Sequence, residues 1–287
     1  MTPPRPWRGP AARSAGNRAG ASGDQTARAG KNAGTAGGIA RATLAASLCL
    51  AFAATPIAPI RFREISADAG INFVLENHPT AQKHLIETMP GGIAVFDYDG
   101  DGRPDIYFTN GAEVPSLTKS SPKYWNRLFH NEGGWKFRDM TQAAGVAGAG
   151  YSMGAAVGDF DNDGHPDLFV AGVNRNTLYR NLGNGRFEDV TERAGIRSGE
   201  WAVAAGWFDY DRDGRLDLWV VHYAKWPPAD DRYCGDSARG IRIYCHPKYF
   251  TPLANSLYRN RGDGTFEDVT AKADREVRRP RHERGVR

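Results

Sequence analysis

From residue 92 to residue 270, short apolar runs alternate with acidic or glycine-bearing loops, and none of the flanks reads as an amphipathic helix. The middle stretch is the cleanest. Ala155 to Phe160 is small and apolar, an acidic loop follows, and Leu168-Phe169-Val170 forms a second run of strand length. Thr177 to Arg180 and Arg186 to Val190 then flank Asn184-Gly185, a dipeptide suited to the positive φ of a tight hairpin turn. The order strand, acidic loop, strand, connection, strand, tight turn, strand predicts a four-stranded antiparallel meander.

That order recurs. Asp-x-Asp-x-Asp-Gly-x-x-Asp stands at Asp97 to Asp105, Asp159 to Asp167 and Asp209 to Asp217, and Asn-x-Gly-x-x-x-Phe-x-Asp-Val/Met-Thr at Asn131 to Thr141, Asn181 to Thr191 and Asn260 to Thr270. The tail of the second signature appears once more at Phe62 to Ile71, predicting a lone outermost strand around Phe62 to Ile65. From the last loop Asp to the turn Asn there are 14 residues in the middle unit, 26 in the first and 43 in the third. The extra residues therefore lie between the second and third strands. In the third unit this insertion, Tyr223 to Asn255, carries Cys234, Cys245, Trp226, Tyr233, Tyr244 and Tyr249. It reads either as a binding loop on a rigid scaffold or as a disulfide-pinned lid over apolar surface.

Four carboxylates within nine residues repel one another and make sense around a hard cation. Calcium takes six to eight oxygens and tolerates irregular geometry, whereas magnesium demands a stricter octahedron. Positions 1, 3, 5 and 9 offer side chains: Asp97, Asp99, Asp101 and Asp105; Asp159, Asp161, Asp163 and Asp167; Asp209, Asp211, Asp213 and Asp217. Position 7 would add the carbonyls of Arg103, His165 and Arg215, and Gly102, Gly164 and Gly214 at position 6 permit the sharp bend. An EF-hand opens with the same spacing, but its position-12 Glu is replaced here by Phe108, Val170 and Val220. The expected ion is Ca2+, held in β-hairpins.

Charge and composition divide the chain further. Residues 1–38 hold almost no large apolar side chain and are expected to be a disordered basic lead; 39–54 resemble a secretory signal cut near Ala54; 273–287 are an Arg-rich tail. The overall charge of +4 comes from the ends, because 1–53 has seven basic residues against one acidic and 272–287 seven against three. Between them stand 23 basic and 29 acidic residues, an acidic balance that excludes a nucleic-acid footprint. With Cys49 in the signal, Cys234 and Cys245 remain as an even pair, expected to be a disulfide in an oxidising compartment.

Phe96-Asp97-Tyr98-Asp99-Gly100-Asp101-Gly102, Gly158 to Gly164 and Leu257 to Phe266 resemble the FG-GAP/VCBS-type repeats of integrin-α-like β-propellers, and more narrowly the cartilage acidic protein family, often associated with an ASPIC/UnbV domain. The resemblance covers about 60–272, in units of about 92–141, 155–191 and 204–270. It implies an all-β fold of propeller blades, calcium between strands one and two of a blade, and roles in adhesion or ligand binding without catalysis. The integrin words Phe-Gly and Gly-Ala-Pro are absent, no ASPIC/UnbV-like region follows, and Asp274-Arg275 breaks the signature. Three units plus a lone strand are fewer than a ring requires, so an incomplete propeller, a piece of a longer protein, is expected.

The functional expectation is a secreted or periplasmic calcium-stabilised scaffold with a protein or glycan ligand, no transmembrane segment after signal removal, and no enzymatic activity. Alternatives are a propeller-based carbohydrate-active enzyme, with His222, Tyr223 and the Trp226 loop as its place, or a fragment without independent function. No Ser nucleophile motif, phosphate-binding glycine loop or Cys-x-x-Cys supports catalysis.

Overall fold

Each acidic loop closes a β-hairpin, and each hairpin grows into a four-stranded sheet in sequence order. In the computed structural model, which describes residues 60–273 apart from 198 and 231, the first sheet runs β1 (Ile93–Phe96), β2 (Asp105–Phe108), β3 (Arg127–Gly133) and β4 (Lys136–Asp139). The second runs β5 (Tyr151–Gly158), β6 (Asp167–Val173), β7 (Thr177–Asn181) and β8 (Phe187–Asp189). The third pairs β9 (Ala202–Phe208) with β10 (Asp217–His222), passes through an insertion holding the small hairpin β11 (Gly235–Asp236) and β12 (Ile241–Arg242), and ends with β13 (Ser256–Asn260) and β14 (Phe266–Asp268). All pairings are antiparallel. In each blade the position-9 Asp pairs with the last residue of the first strand: Phe96 with Asp105, Gly158 with Asp167 and Phe208 with Asp217.

These are propeller-type blades, and the described residues form no closed ring. The expected lead at 1–38, the signal-like segment at 39–54 and the tail beyond Ala273 lie outside the described residues.

Blades pack face to face, which places the core between them. Phe96, Tyr98, Tyr107 and Leu128 of the first blade meet Leu168, Val170, Tyr179 and Phe187 of the second. Phe160, Phe169 and Leu178 of the second meet Leu218, Val220, Tyr258 and Phe266 of the third. The innermost strands come closer than any side chain would allow. A Cβ on Gly92 would lie 2.5 Å from the Met153 carbonyl oxygen, and one on Gly154 would lie 2.6 Å from that of Val203.

One sequence expectation is corrected. Residues 61–65 form no strand, and Phe62 is 96% exposed, because no described strand offers the ladder that the strand-four pattern needs. The helical turn after it keeps its repeat role. The short helices α1 (Ser66–Ala69) and α2 (Thr141–Ala144) each end in a left-handed glycine, Gly70 and Gly145, placed against the carbonyl of Phe137 and Phe187 in the next outer strand.

The connection between β2 and β3 is fastened by a buried cation. Lys119 Nζ donates to the carbonyls of Asn110, Gly111 and Tyr124 at 2.8, 2.7 and 2.6 Å. Burial pulls its pKa down to about 7, and only the ammonium form can donate all three bonds.

The turn Asn is a stitch between blades. Asn181 Nδ2 donates to the Pro166 carbonyl at 3.1 Å and, across the interface, to the Tyr98 carbonyl at 2.8 Å. Asn260 Nδ2 does the same to Leu216 at 3.0 Å and to Phe160 of the second blade at 2.7 Å. Asn131 Nδ2 donates to the Pro104 carbonyl of its own blade at 3.0 Å, and among the described residues it makes no bond across to another blade. Removing a buried amide that serves two carbonyls leaves both unpaired. Asn181→Ala and Asn260→Ala are therefore each expected to lower unfolding stability by about 2–4 kcal/mol, and Asn131→Ala by about 1 kcal/mol or less, measured by urea denaturation.

Candidate metal centres

The three acidic loops share one geometry, built first by the backbone. At position 1, Asp97 accepts N–H bonds from Gly100, Asp101 and Gly102; Asp159 accepts from Asp163 and Gly164; Asp209 accepts from Asp213 and Gly214. The position-5 carboxylates of Asp101, Asp163 and Asp213 accept from the N–H of Arg103, His165 and Arg215. Position 6 lies in the left-handed region, with φ of +84°, +87° and +85° at Gly102, Gly164 and Gly214. A β-carbon there would be strained whatever the space around it.

Position 9 is different in kind. Asp105, Asp167 and Asp217 are fully buried, and each uses both oxygens. One accepts the N–H of the position-2 residue, Tyr98, Phe160 or Tyr210, at 3.1, 2.9 and 3.0 Å. The other accepts the N–H of the turn Asn, Asn131, Asn181 or Asn260, at 2.7, 2.8 and 2.8 Å. Burial pushes all three carboxyls up, Asp167 to about 7; the two N–H donors oppose the shift at Asp167, and the charges of Asp161 and Asp163 add to it. A cation among these groups would reverse that balance.

The loops bring the ligand-type oxygens together. Asp159, Asp161 and Asp167 each offer one oxygen within 4.8 Å of the others, as do Asp209, Asp211 and Asp217; in the first loop Asp97, Asp99 and Asp101 form one such group and Asp99, Asp105 and His130 another. Asp161 Oδ1 is buried with no hydrogen-bond partner. Asp163 and Asp213 stand outside those groups, their outer oxygens turned to arginines.

Those arginines belong to the third strand of each blade. Arg180 Nε lies 2.5 Å from Asp161 Oδ2 and its Nη2 2.8 Å from Asp163 Oδ2; Arg259 makes the matching pairs with Asp211 at 2.7 Å and Asp213 at 3.5 Å. Arg103 and Arg215, from position 7, also reach the carboxylates of Asp101 and Asp213. In the first blade the third-strand position is His130. These third-strand residues escape a reading of the acidic loops alone, although each stands immediately before the turn Asn and could have been found by aligning the units on it.

The opposite end holds the other expected residues. Cys234 and Cys245 form a disulfide with 5.3 Å between their α-carbons. Trp226 is buried beside Trp201 and Val114, as a lid residue would be. Tyr244 donates its hydroxyl to Glu87 at 3.1 Å, which ties the insertion down. His222 is buried, with Nδ1 3.0 Å from the Ala254 carbonyl and Nε2 3.5 Å from Glu200, and burial holds its pKa down. Tyr223 lies edge-on to Trp201, their ring centroids 4.9 Å apart. Tyr233 and Tyr249 remain about half exposed around an open cleft of about 620 Å³.

Fold and loops together define a class, a β-propeller-type repeat with an acidic loop in its first hairpin, and comparison with known sequences agrees. Residues 97–170 and 159–220 match the FG-GAP-like repeat, so the chain carries FG-GAP-like repeats in two overlapping segments. No curated protein sequence matches the chain. Among solved structures it is similar to one described as the structural basis of specific recognition of non-reducing terminal N-acetylglucosamine by an Agrocybe aegerita lectin, at 17% identity and a TM-score of 0.31. That match covers 63% of this chain and 38% of the lectin chain, so it spans well under half of the lectin's length. Among the described residues no helix is long and apolar enough to cross a membrane.

Positions 9 and 3 serve the fold unequally, which separates folding from any ion binding. Asp167→Asn places an amide NH2 against a backbone N–H and is expected to cost about 2–3 kcal/mol even in the presence of chelator. Asp161→Asn should change stability in chelator by no more than about 1 kcal/mol, because its partner Arg180 is a partly exposed ion pair. Thermal melts of both variants with and without added divalent cation check this contrast.

Proposed function

We propose that this protein is a secreted, calcium-stabilised β-propeller-type scaffold for adhesion or ligand binding, with calcium in a structural role. The observation that carries the reading is the threefold recurrence of one loop, each time converging carboxylate oxygens inside a bend already shaped by its own N–H groups. The proposed ligands are the four aspartates of each loop together with the position-7 carbonyls of Arg103, His165 and Arg215. This all-oxygen donor set suits calcium, with its longer bonds and tolerant coordination, better than magnesium.

The location outside the cytoplasm draws support from the Cys234–Cys245 disulfide and from the millimolar calcium that such modules use. The resemblance to cartilage acidic proteins points the same way. A protein or glycan would bind at the end bearing the insertions, where long connections sit on a rigid sheet and Tyr233 and Tyr249 are partly exposed. Catalysis forms no part of the proposal. The aspartates of the loops are taken up by the proposed ion sites, and buried His222 is engaged by a backbone carbonyl.

Extracellular calcium modules bind at about 10⁻⁴ to 10⁻³ M, so millimolar calcium should add about 1 kcal/mol per site. At about 2–4 °C per kcal/mol for a domain of this size, three sites are expected to raise the melting temperature by roughly 6–12 °C. Magnesium should give less than about half of that. Calorimetric titration should return close to about three calcium ions per chain, one for each loop. A melt insensitive to both calcium and chelator would remove the reading.

A further inference from the structure

The first blade differs from the other two in the third-strand residue that faces its acidic loop, and that residue changes the donor set. Where β7 and β13 place Arg180 and Arg259 against the loop carboxylates, β3 places His130. His130 is nine-tenths buried. Its Nδ1 lies 3.2 Å from Asp99 Oδ2 and 3.3 Å from Asp105 Oδ1, yet it makes no hydrogen bond and counts among the buried unpartnered polar atoms.

We propose that the first loop is a mixed nitrogen and oxygen site that takes a borderline divalent cation of the zinc class through His130 Nδ1, Asp99 and Asp105. Three features support it. An arginine cannot ligate a cation, so the second and third blades set a fixed positive charge where the first sets an imidazole, whose ring nitrogen is a metal-ligand type. Imidazole suits zinc and its neighbours, whereas calcium prefers oxygen throughout. Finally, ligands with zinc bonds of about 2.0–2.1 Å in a tetrahedron stand about 3.3 Å apart, close to the separations of Nδ1 from the two carboxylates.

The surroundings hold these donors in place. The Asp105 carboxylate is oriented by the N–H groups of Asn131 and Tyr98, and the His130 ring stands edge-on to Tyr98, their centroids 6.0 Å apart at 84°. Tyr98 in turn stacks on Phe187 of the next blade. Nε2, the ring nitrogen left over, faces Asp101 Oδ2 at 3.8 Å, where an outer carboxylate commonly fixes the ring of a metal-bound histidine. Asp99 belongs to both candidate groups of this loop, so the two ions would compete for it.

This site goes beyond the calcium reading and does not depend on calcium filling the second and third loops. The test is calorimetric titration of zinc chloride into the full chain, in calcium-saturated and in calcium-free buffer. Wild type is expected to bind about one zinc ion per chain, displacing about one calcium ion where calcium is present. His130→Arg restores the residue that the other two blades use, and it is expected to weaken that zinc binding by at least about tenfold while leaving calcium uptake by the second and third loops intact. The reverse variant, Arg180→His, should add a second zinc ion, and it carries the test alone if H130R does not melt cooperatively. Zinc binding that is absent from wild type, unchanged in H130R, or without gain in R180H overturns the proposal. If no calcium binds anywhere but the zinc site still vanishes with H130R, the calcium reading falls and this one stands.

Discussion

A buried carboxylate with both oxygens bound to backbone is the constraint on which the rest of this fold depends. Asp105, Asp167 and Asp217 are fully buried, and each joins the acidic loop to the third strand by accepting one N–H from either side. That double acceptance fixes the register of the hairpin against β3, β7 or β13. It also sets the turn Asn in place, and in the second and third blades the Asn amide then reaches across to the preceding blade. The target of that amide is telling. Tyr98 lies between Asp97 and Asp99, and Phe160 between Asp159 and Asp161, so the second and third blades each grip the preceding blade at the second position of its acidic loop. Ordering one loop therefore orders the interface beside it, and the proposed ions and the blade packing share one hydrogen-bonded chain.

Signals local to a hairpin were legible in the sequence. The nine-residue loop spacing, the Asn-Gly and Asp-Gly turns and the strand runs each depend on neighbours within a few positions, and the structure places blades where those signals fall. The Cys234 and Cys245 pairing was equally accessible, since eleven residues separate them in a single connection. The limits of the strands were less so. β5 begins at Tyr151 and ends at Gly158, while the apolar run suggested Ala155 to Phe160; Phe160 leaves the ladder to bury its ring in the blade interface.

Features that depend on register and on distant partners were hidden. Arg180 stands 17 residues from Asp163, and Arg259 stands 46 from Asp213, distances that reveal nothing until two strands are laid side by side. The Asn181 amide meets a carbonyl 83 residues away. The misread strand at 61–65 has the same cause in reverse: its residues repeat a strand-four pattern, but a strand exists only by pairing, and no described partner lies beside it. Trp226 stood open in the sequence between a binding loop and a lid over apolar surface, and only its packing against Trp201 and His84, far away in the chain, shows where its ring goes.

Topology then separates the two ends of each blade by function. In an antiparallel meander the loop between strands one and two and the turn between strands three and four emerge at one end, and the connection between strands two and three emerges at the other. All three acidic loops with their turn Asn residues lie at the first end; the segment held by Lys119, the disulfide-bearing insertion and the buried cluster around Ile86, Trp201 and Trp226 lie at the second. The seven residues of β6 put roughly 20 Å between those ends. An ion held by Asp159, Asp161 and Asp167 is thus too far away to touch a molecule bound over the insertion. Any influence there would have to travel through strand register and blade contact, so the connectivity fits the structural role proposed for calcium, and a different ion in the first loop would leave the surface at the far end as it is.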